Sequence, residues 1–323
     1  MDLSMLGTLF APVITGILIG AALRGNECAK CAGKLFDGLA LKFFLPFFVF
    51  EALNRGGLSW EMAGAVALGF VIPLFSLLLA SIYLRFGQGG MTPRRPTEWR
   101  FLVSTFGGGN RGTAALYVGF GGVAHFNEIL TWFALIDLGN FACLLMVFPV
   151  LLGRAYAGEG DSSRARKSLK IADNYALWMV GIVAALFLLS SFVPQSEVWL
   201  AESVAARKFI FSMLLFAAIA LRFEQKALSG FHADLIATLS TRAVALLAVA
   251  VPVWLLFDQG RLAAVAAGIL LLMPPSSVLP AMVAQTRARP EAVGYSSSFA
   301  AVANVLYLPI LAMLALVAIG RTL

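Results

Sequence analysis

The sequence predicts an all-α polytopic membrane protein: ten transmembrane helices as two inverted five-helix repeats, with crossed, broken fourth and ninth helices. Three observations lead there. Of the 323 residues, 60% are hydrophobic and only 13% are charged, a balance outside the range of soluble domains. The basic residues collect in alternate loops. Two apolar segments are interrupted at their middles by residues that a lipid-facing helix does not tolerate. The net charge of +7 thus reflects membrane topology, and no nucleic-acid partner is expected.

The apolar segments run Leu3–Leu23, Leu35–Leu53, Met62–Tyr83, Trp99–Gly122, Leu130–Leu152, Ala176–Val193, Phe209–Leu221, Thr241–Phe257, Leu262–Ala284 and Tyr295–Ile319. Crossing a bilayer takes about 20 apolar residues, so the seventh is the weakest. With the first loop cytoplasmic, that side carries Arg24, Lys30 and Lys34; Arg85, Arg94, Arg95 and Arg100; Arg154, Arg164, Arg166, Lys167 and Lys170; Arg222, Lys226 and Arg242; and Arg287 and Arg289. The opposite side carries only Arg55, Arg207, Lys208, Arg261 and Arg321. The positive-inside rule then places both termini on the non-cytoplasmic side. Met1-Asp2-Leu3-Ser4 has no basic n-region, so no cleavable signal is expected.

The fourth segment is broken by Gly107-Gly108-Gly109-Asn110-Arg111-Gly112. Each glycine removes about 1 kcal/mol of helix propensity relative to Ala. An Arg at the hydrocarbon centre costs at least about 2.5 kcal/mol unless compensated. Such backbone persists at membrane depth only where it is buried in protein or lines a cavity. The ninth segment is broken by Met273-Pro274-Pro275-Ser276-Ser277. Each proline lacks an N–H and clashes with the preceding turn, which frees carbonyls near Leu270 and Leu271. Ser276 and Ser277 can satisfy freed groups. Crossing the two segments gathers four half-helix ends, and the N-terminal ends suit anions.

Ten spans in two similar halves require opposite insertion, because five is odd. Residues 1–153 form the N-terminal repeat, 154–172 a cytoplasmic linker and 173–323 the C-terminal inverted repeat. Lys42-Phe43-Phe44-Leu45-Pro46 matches Lys208-Phe209-Ile210-Phe211-Ser212 at an offset of 166 (208 − 42), and the same offset carries Asn110 to Ser276. Paired interrupted helices in corresponding places mark a transporter's binding site. The third and eighth spans break this offset; the long loops beside them, including the one between the seventh and eighth, are expected to absorb the difference.

Arg111 keeps its proton and offers a five-donor fork that matches a carboxylate. Its partner is either a substrate anion or a protein carboxylate, and Asp137 at midspan is the nearest candidate. Asn140 adds a possible sodium or water ligand. The candidate substrate-binding set is Gly109, Asn110, Arg111, Thr113, Pro274, Pro275, Ser276 and Ser277, with Asp137 and Asn140 as coupling or charge partners. Lys42 is expected to snorkel to the cytoplasmic edge and Glu51 to lie at the other interface. Cys28-x-x-Cys31 lacks two further ligands, and His125 and His232 lie far apart, so no metal site is expected.

The chain resembles the auxin efflux carrier family, the PIN-like permeases and their bacterial relatives. Phe10-Ala11-Pro12-Val13 through Arg24, followed by Phe43-Phe44-Leu45-Pro46-Phe47-Phe48-Val49-Phe50, is similar to the first two helices of that family. Gly109-Asn110-Arg111-Gly112 resembles its G-N crossing motif, and Met273-Pro274-Pro275, with Ala284 and Arg289-Pro290-Glu291, its M-P segment and following loop. The resemblance implies a scaffold domain and a transport domain, an elevator-type carrier of organic anions such as auxin or small dicarboxylates, a homodimer and a bacterial inner membrane. It carries Asn110 over as a substrate contact and Pro274 or Pro275 as the crossing proline. Two positions depart from the pattern: Thr113-Ala114-Ala115-Leu116 lacks the proline that often follows the Asn, and Arg111 is atypical.

The expected function is therefore secondary transport of a small organic anion. The alternatives are sodium-coupled symport of bile-acid-type amphipathic anions, whose carriers share this architecture, and a membrane sensor that binds without transport. No P-loop, zinc motif or Ser–His pair indicates a pump or an enzyme. No cofactor is expected beyond a coupling ion, H+ or Na+.

Overall fold

The computed structural model describes residues 3–26, 28–56, 60–86, 102–103, 126–158, 178–179, 181–192, 202–228, 231–256, 260–273, 276–285 and 290–322. Among them every regular element is helical. Helix α1, Leu3–Leu23, coincides with the first expected span. Next come α2, Ala29–Gly38, a π-helical stretch, Leu39–Phe44, and α3, Leu45–Gly56, joined end to end as the second.

The π-helical stretch has a local cause. Pro46 has no N–H to give the Lys42 carbonyl four residues back. That carbonyl instead accepts the indole N–H of Trp178 at 2.9 Å, while the Leu45 N–H reaches Ala40 O, one residue further than in an α-helix. The third span is α4, Trp60–Phe86. The fifth is α5, Phe126–Met146, followed after Val147 by α6, Phe148–Gly158. The break at Val147 precedes Pro149 by two residues, and the helix resumes with Leu151 N–H on Val147 O at 3.0 Å. Helix α6 enters the stretch expected as a linker; the rest of that linker and the fourth span, apart from the buried helical pair Leu102 and Val103, lie outside the described residues.

In the second half, α7 is Gly181–Phe192, α8 Val204–Leu221 and α9 Phe231–Leu256. A 3-10 turn, Gln225–Leu228, joins the last two. Helix α10 is Gly260–Leu272, α11 Val278–Gln285 and α12 Pro290–Thr322. Two expectations are corrected here. The seventh span starts at Val204 rather than Phe209, because Arg207 and Lys208 are accommodated inside the helix. Lys208 Nζ lies 3.9 Å from Glu51 Oε1, and the Arg207 guanidinium sits 5.0 Å from the centroid of the Phe47 ring. Glu51 is buried. The helix that contains the eighth expected segment starts at Phe231 rather than Thr241, so the loop expected to absorb the repeat offset is mostly helix and Arg242 is a buried residue.

Helix α1 packs on α8 and α4 on α5. Both contacts are made by glycines with backbone on the far side: Gly16 and Gly20 face the carbonyls of Met213 and Ala217, and Gly69 and Gly139 face those of Ile136 and Val66. Removing the side chain lets two helices approach to backbone contact, the usual basis of helix association in lipid. Reciprocally, α7 packs on α3, where the rings of Phe50 and Phe187 stand 4.8 Å apart.

The segment after α8 ties three helices with three consecutive residues. Arg222 makes a bidentate pair with Asp37 of α2, Nη1–Oδ1 3.0 Å and Nη2–Oδ2 2.5 Å. The Phe223 carbonyl accepts from Arg24, just past α1. Glu224 N–H donates to Ser298 Oγ of α12 at 2.7 Å.

Buried apolar side chains form two main clusters. One joins Leu41 and Leu45 to Leu144 and Phe148 of the fifth span, Leu279 and Met282 of α11, and Tyr295 and Phe299 of α12. The other joins Ile129, Phe133 and Ile136 of α5 to Ala263, Ala267, Leu271 and Met273 at the end of α10, and to Ala245 and Val253 of α9.

Candidate functional site

Three separate stretches of chain pass from one cluster to the other, and each places polar residues at the changeover. On α5, Ile136 belongs to one cluster and Cys143 to the other; Asp137 and Asn140 lie between. Along the ninth span, Met273 belongs to one and Val278 to the other, with Ser276 and Ser277 between. On α9, Leu235 packs on one and Ala245 belongs to the other, with Thr238 and Arg242 between. All six are buried. Buried polar groups between two apolar clusters are costly unless they are bonded, so these six residues are the candidate site.

Its internal bonds follow from local sequence. Asn140 stands one turn after Asp137, and its Nδ2 donates to Asp137 Oδ1 at 3.1 Å. The expected ninth-span break is present: α10 stops at Leu272, and Met273 N–H closes back on Leu270 O at 3.4 Å in a 3-10 bond. Ser276 then restarts the helix. Its Oγ accepts Val278 N–H at 3.3 Å, and its carbonyl accepts Leu279 N–H at 3.0 Å. This capping by a hydroxyl satisfies donors that a helix start leaves open. Replacing Ser276 with Ala is expected to cost about 1 kcal/mol, read as a lowered thermal midpoint of the detergent-solubilised protein.

On the opposite side of the break, Arg242 Nη1 donates to the Met273 carbonyl. A cation there meets the negative end of the α10 dipole. Below it on the same face of α9, Asp234 Oδ2 accepts the Tyr295 O–H of α12 at 2.7 Å.

Of the expected site residues, the structure thus brings Asp137 to Asn140 and places Ser276 and Ser277 at the break. Gly109, Asn110, Arg111, Thr113, Pro274 and Pro275 lie outside the described residues. Sequence reasoning missed Arg242, Thr238 and Asp234. A signal existed: the three recur every fourth residue, as one face of a helix does. Loop charge alone places Arg242 on the cytoplasmic side, whereas the four-residue period places it on a helix face.

Fold and site together define an all-helical protein in which, among the described residues, three helices are long and apolar enough to cross a membrane: Trp60–Leu79, Thr131–Arg154 and Val204–Leu221. In comparison with known proteins, no family model matches the chain, and no curated protein matches it.

Proposed function

We propose that the protein is a secondary active transporter of a small organic anion, auxin-like or a mono- or dicarboxylate. It works by elevator-type alternating access, with the site at the crossing of the fourth and ninth helices. The observation that carries this reading is the interrupted ninth span, with Ser276 capping one half-helix and Arg242 bonded to the carbonyl end of the other. A broken helix inside a polar layer supplies fixed dipoles to a charged solute without large desolvation at each cycle. The reciprocal packing of α1 on α8 and α7 on α3 is what two inverted repeats of five helices would produce, and supports a ten-helix chain with repeats 1–153 and 173–323. In this reading it is a homodimer in a bacterial inner membrane, with both termini on the non-cytoplasmic side, and no catalytic residue is involved.

The test is uptake and counterflow in proteoliposomes with labelled mono- and dicarboxylates and an aromatic acid. Saturable flux is expected, and Arg111→Gln is expected to weaken it far more than Lys42→Gln. Equal small effects would make Arg111 purely structural, and binding without flux would favour a sensor.

The buried Asp137–Asn140 pair favours a second reading, sodium-coupled symport of bile-acid-type amphipathic anions, because a carboxylate and an amide oxygen suit a hard cation. Asp137→Asn is expected to change the pH or sodium dependence of flux in a folded protein. Unchanged profiles would remove Asp137 from coupling, and the wild-type response to a sodium gradient separates H+ from Na+.

A further inference from the structure

We infer that Arg242 is the positioning residue of this site. Its guanidinium holds the carbonyl end of the interrupted ninth helix, and so sets where Ser276, Ser277 and the amino end of α11 meet the solute. The contact with a solute and its KM rest on the carrier reading; the hold on the break does not.

Arg242 lies well inside α9 and is 3% exposed. An Arg is not retained at such a place without strong compensation. Its Nη1 donates to Met273 O, across 31 positions of sequence. Met273 is the first residue beyond α10, and its own N–H is already used in the closing bond to Leu270 O. The two helix ends that flank the break are each bonded by a side chain: Arg242 at Met273, and the Ser276 hydroxyl at Val278.

The same α9 face also bonds α12. Asp234 and Thr238 stand two turns and one turn before Arg242, and both are buried. Asp234 fastens α12 through Tyr295. One face of α9 thus ties the break and α12 into a single unit. A planar, permanently charged fork keeps its orientation in that setting; a lysine ammonium on a flexible stem does not.

The experiment compares wild type, Arg242→Lys and Arg242→Gln in nanodiscs and proteoliposomes. Amide hydrogen exchange over 270–282 is the first readout and needs no solute. Exchange there is expected to quicken at least about tenfold in Arg242→Gln, the equivalent of one lost charge-assisted hydrogen bond, with a smaller increase in Arg242→Lys and none over α1. The second readout is anion flux. Arg242→Lys is expected to raise KM about tenfold at nearly unchanged kcat, whereas a merely structural residue would lower the amount of folded protein and leave KM alone. Unchanged exchange over 270–282 in folded Arg242→Gln overturns the inference, as does an unchanged KM in folded Arg242→Lys. Should Arg242→Gln not fold, Arg242→Lys alone decides by both readouts. Quickened exchange in Arg242→Gln, together with wild-type protein that neither binds nor carries an anion, would sink the carrier reading and leave Arg242 as the residue that positions the break.

Discussion

Gly69→Leu and Gly139→Leu are each expected to abolish accumulation of folded protein, while Gly38→Ala leaves it intact or slightly stabilised. A Cβ built on Gly69 would run into the Ile136 carbonyl oxygen, and one on Gly139 into the carbonyl of Val66, with Phe70 N at 2.7 Å. The obstructing atoms are backbone, so neither helix can yield by a rotamer change. Overpacking normally costs about 1–3 kcal/mol; here the whole α4–α5 contact must separate, so the effect is expected beyond that range. The damage would spread, because α5 also packs on α10 and carries Asp137 and Asn140. Gly38 is the control: it is helical, and nothing lies within 4 Å of a Cβ there. Ala at such a position gains about 0.5–1 kcal/mol of helix propensity. Size-exclusion profiles and thermal midpoints of the solubilised variants decide the matter. A monodisperse, wild-type-like Gly139→Leu protein would show that α4 and α5 do not cross at this point.

Asp37→Leu is expected to destabilise the protein by about 3–5 kcal/mol, and the double variant Asp37→Leu with Arg222→Met to recover most of that loss. Asp37 is 1% exposed and holds Arg222 in a two-pronged bond. Deleting one partner leaves the other charge with its desolvation cost and no compensation; deleting both leaves an apolar contact of similar volume. Gly33 gives the guanidinium its room, since a Cβ there would lie 3.0 Å from Nη2. Arg222 also begins the segment whose next two residues bond Arg24 and α12 through their backbone, contacts that the double variant keeps. Unfolding midpoints of the two single variants and the double variant complete the cycle. A double variant as unstable as Asp37→Leu would mean that the pair gives more than mutual neutralisation.

Sequence periodicity and length were enough to read the helical class and the approximate places of several of its helices. The first span matches α1, and the second, third, fifth and tenth fall within longer helices or pairs of helices. These readings succeed because apolar run length and proline position are local properties. Pro274 and Pro275 announced a break in the ninth span for that reason. The same locality explains the shifted starts of the seventh and eighth spans. Arg207, Lys208 and Arg242 look like helix-ending charges in one dimension; the facing Phe47 ring and Met273 carbonyl receive Arg207 and Arg242 in the interior, and Glu51 stands near the half-exposed Lys208.

The chain by itself determined an apolar, helical protein, a chemical oddity in its fourth segment, a broken ninth one, and Asp137 and Asn140 one turn apart on one face. Tertiary structure alone decided which of its glycines are contact points, since Gly38 and Gly69 are indistinguishable until a second helix arrives. It also decided that Asp37 meets Arg222 from 185 positions away and that Arg242 belongs to the break. The physical reason is common to all three. Helix propensity and hydropathy are written in neighbouring residues, whereas the stabilisation of a buried charge or a missing side chain depends on whatever the fold places opposite it.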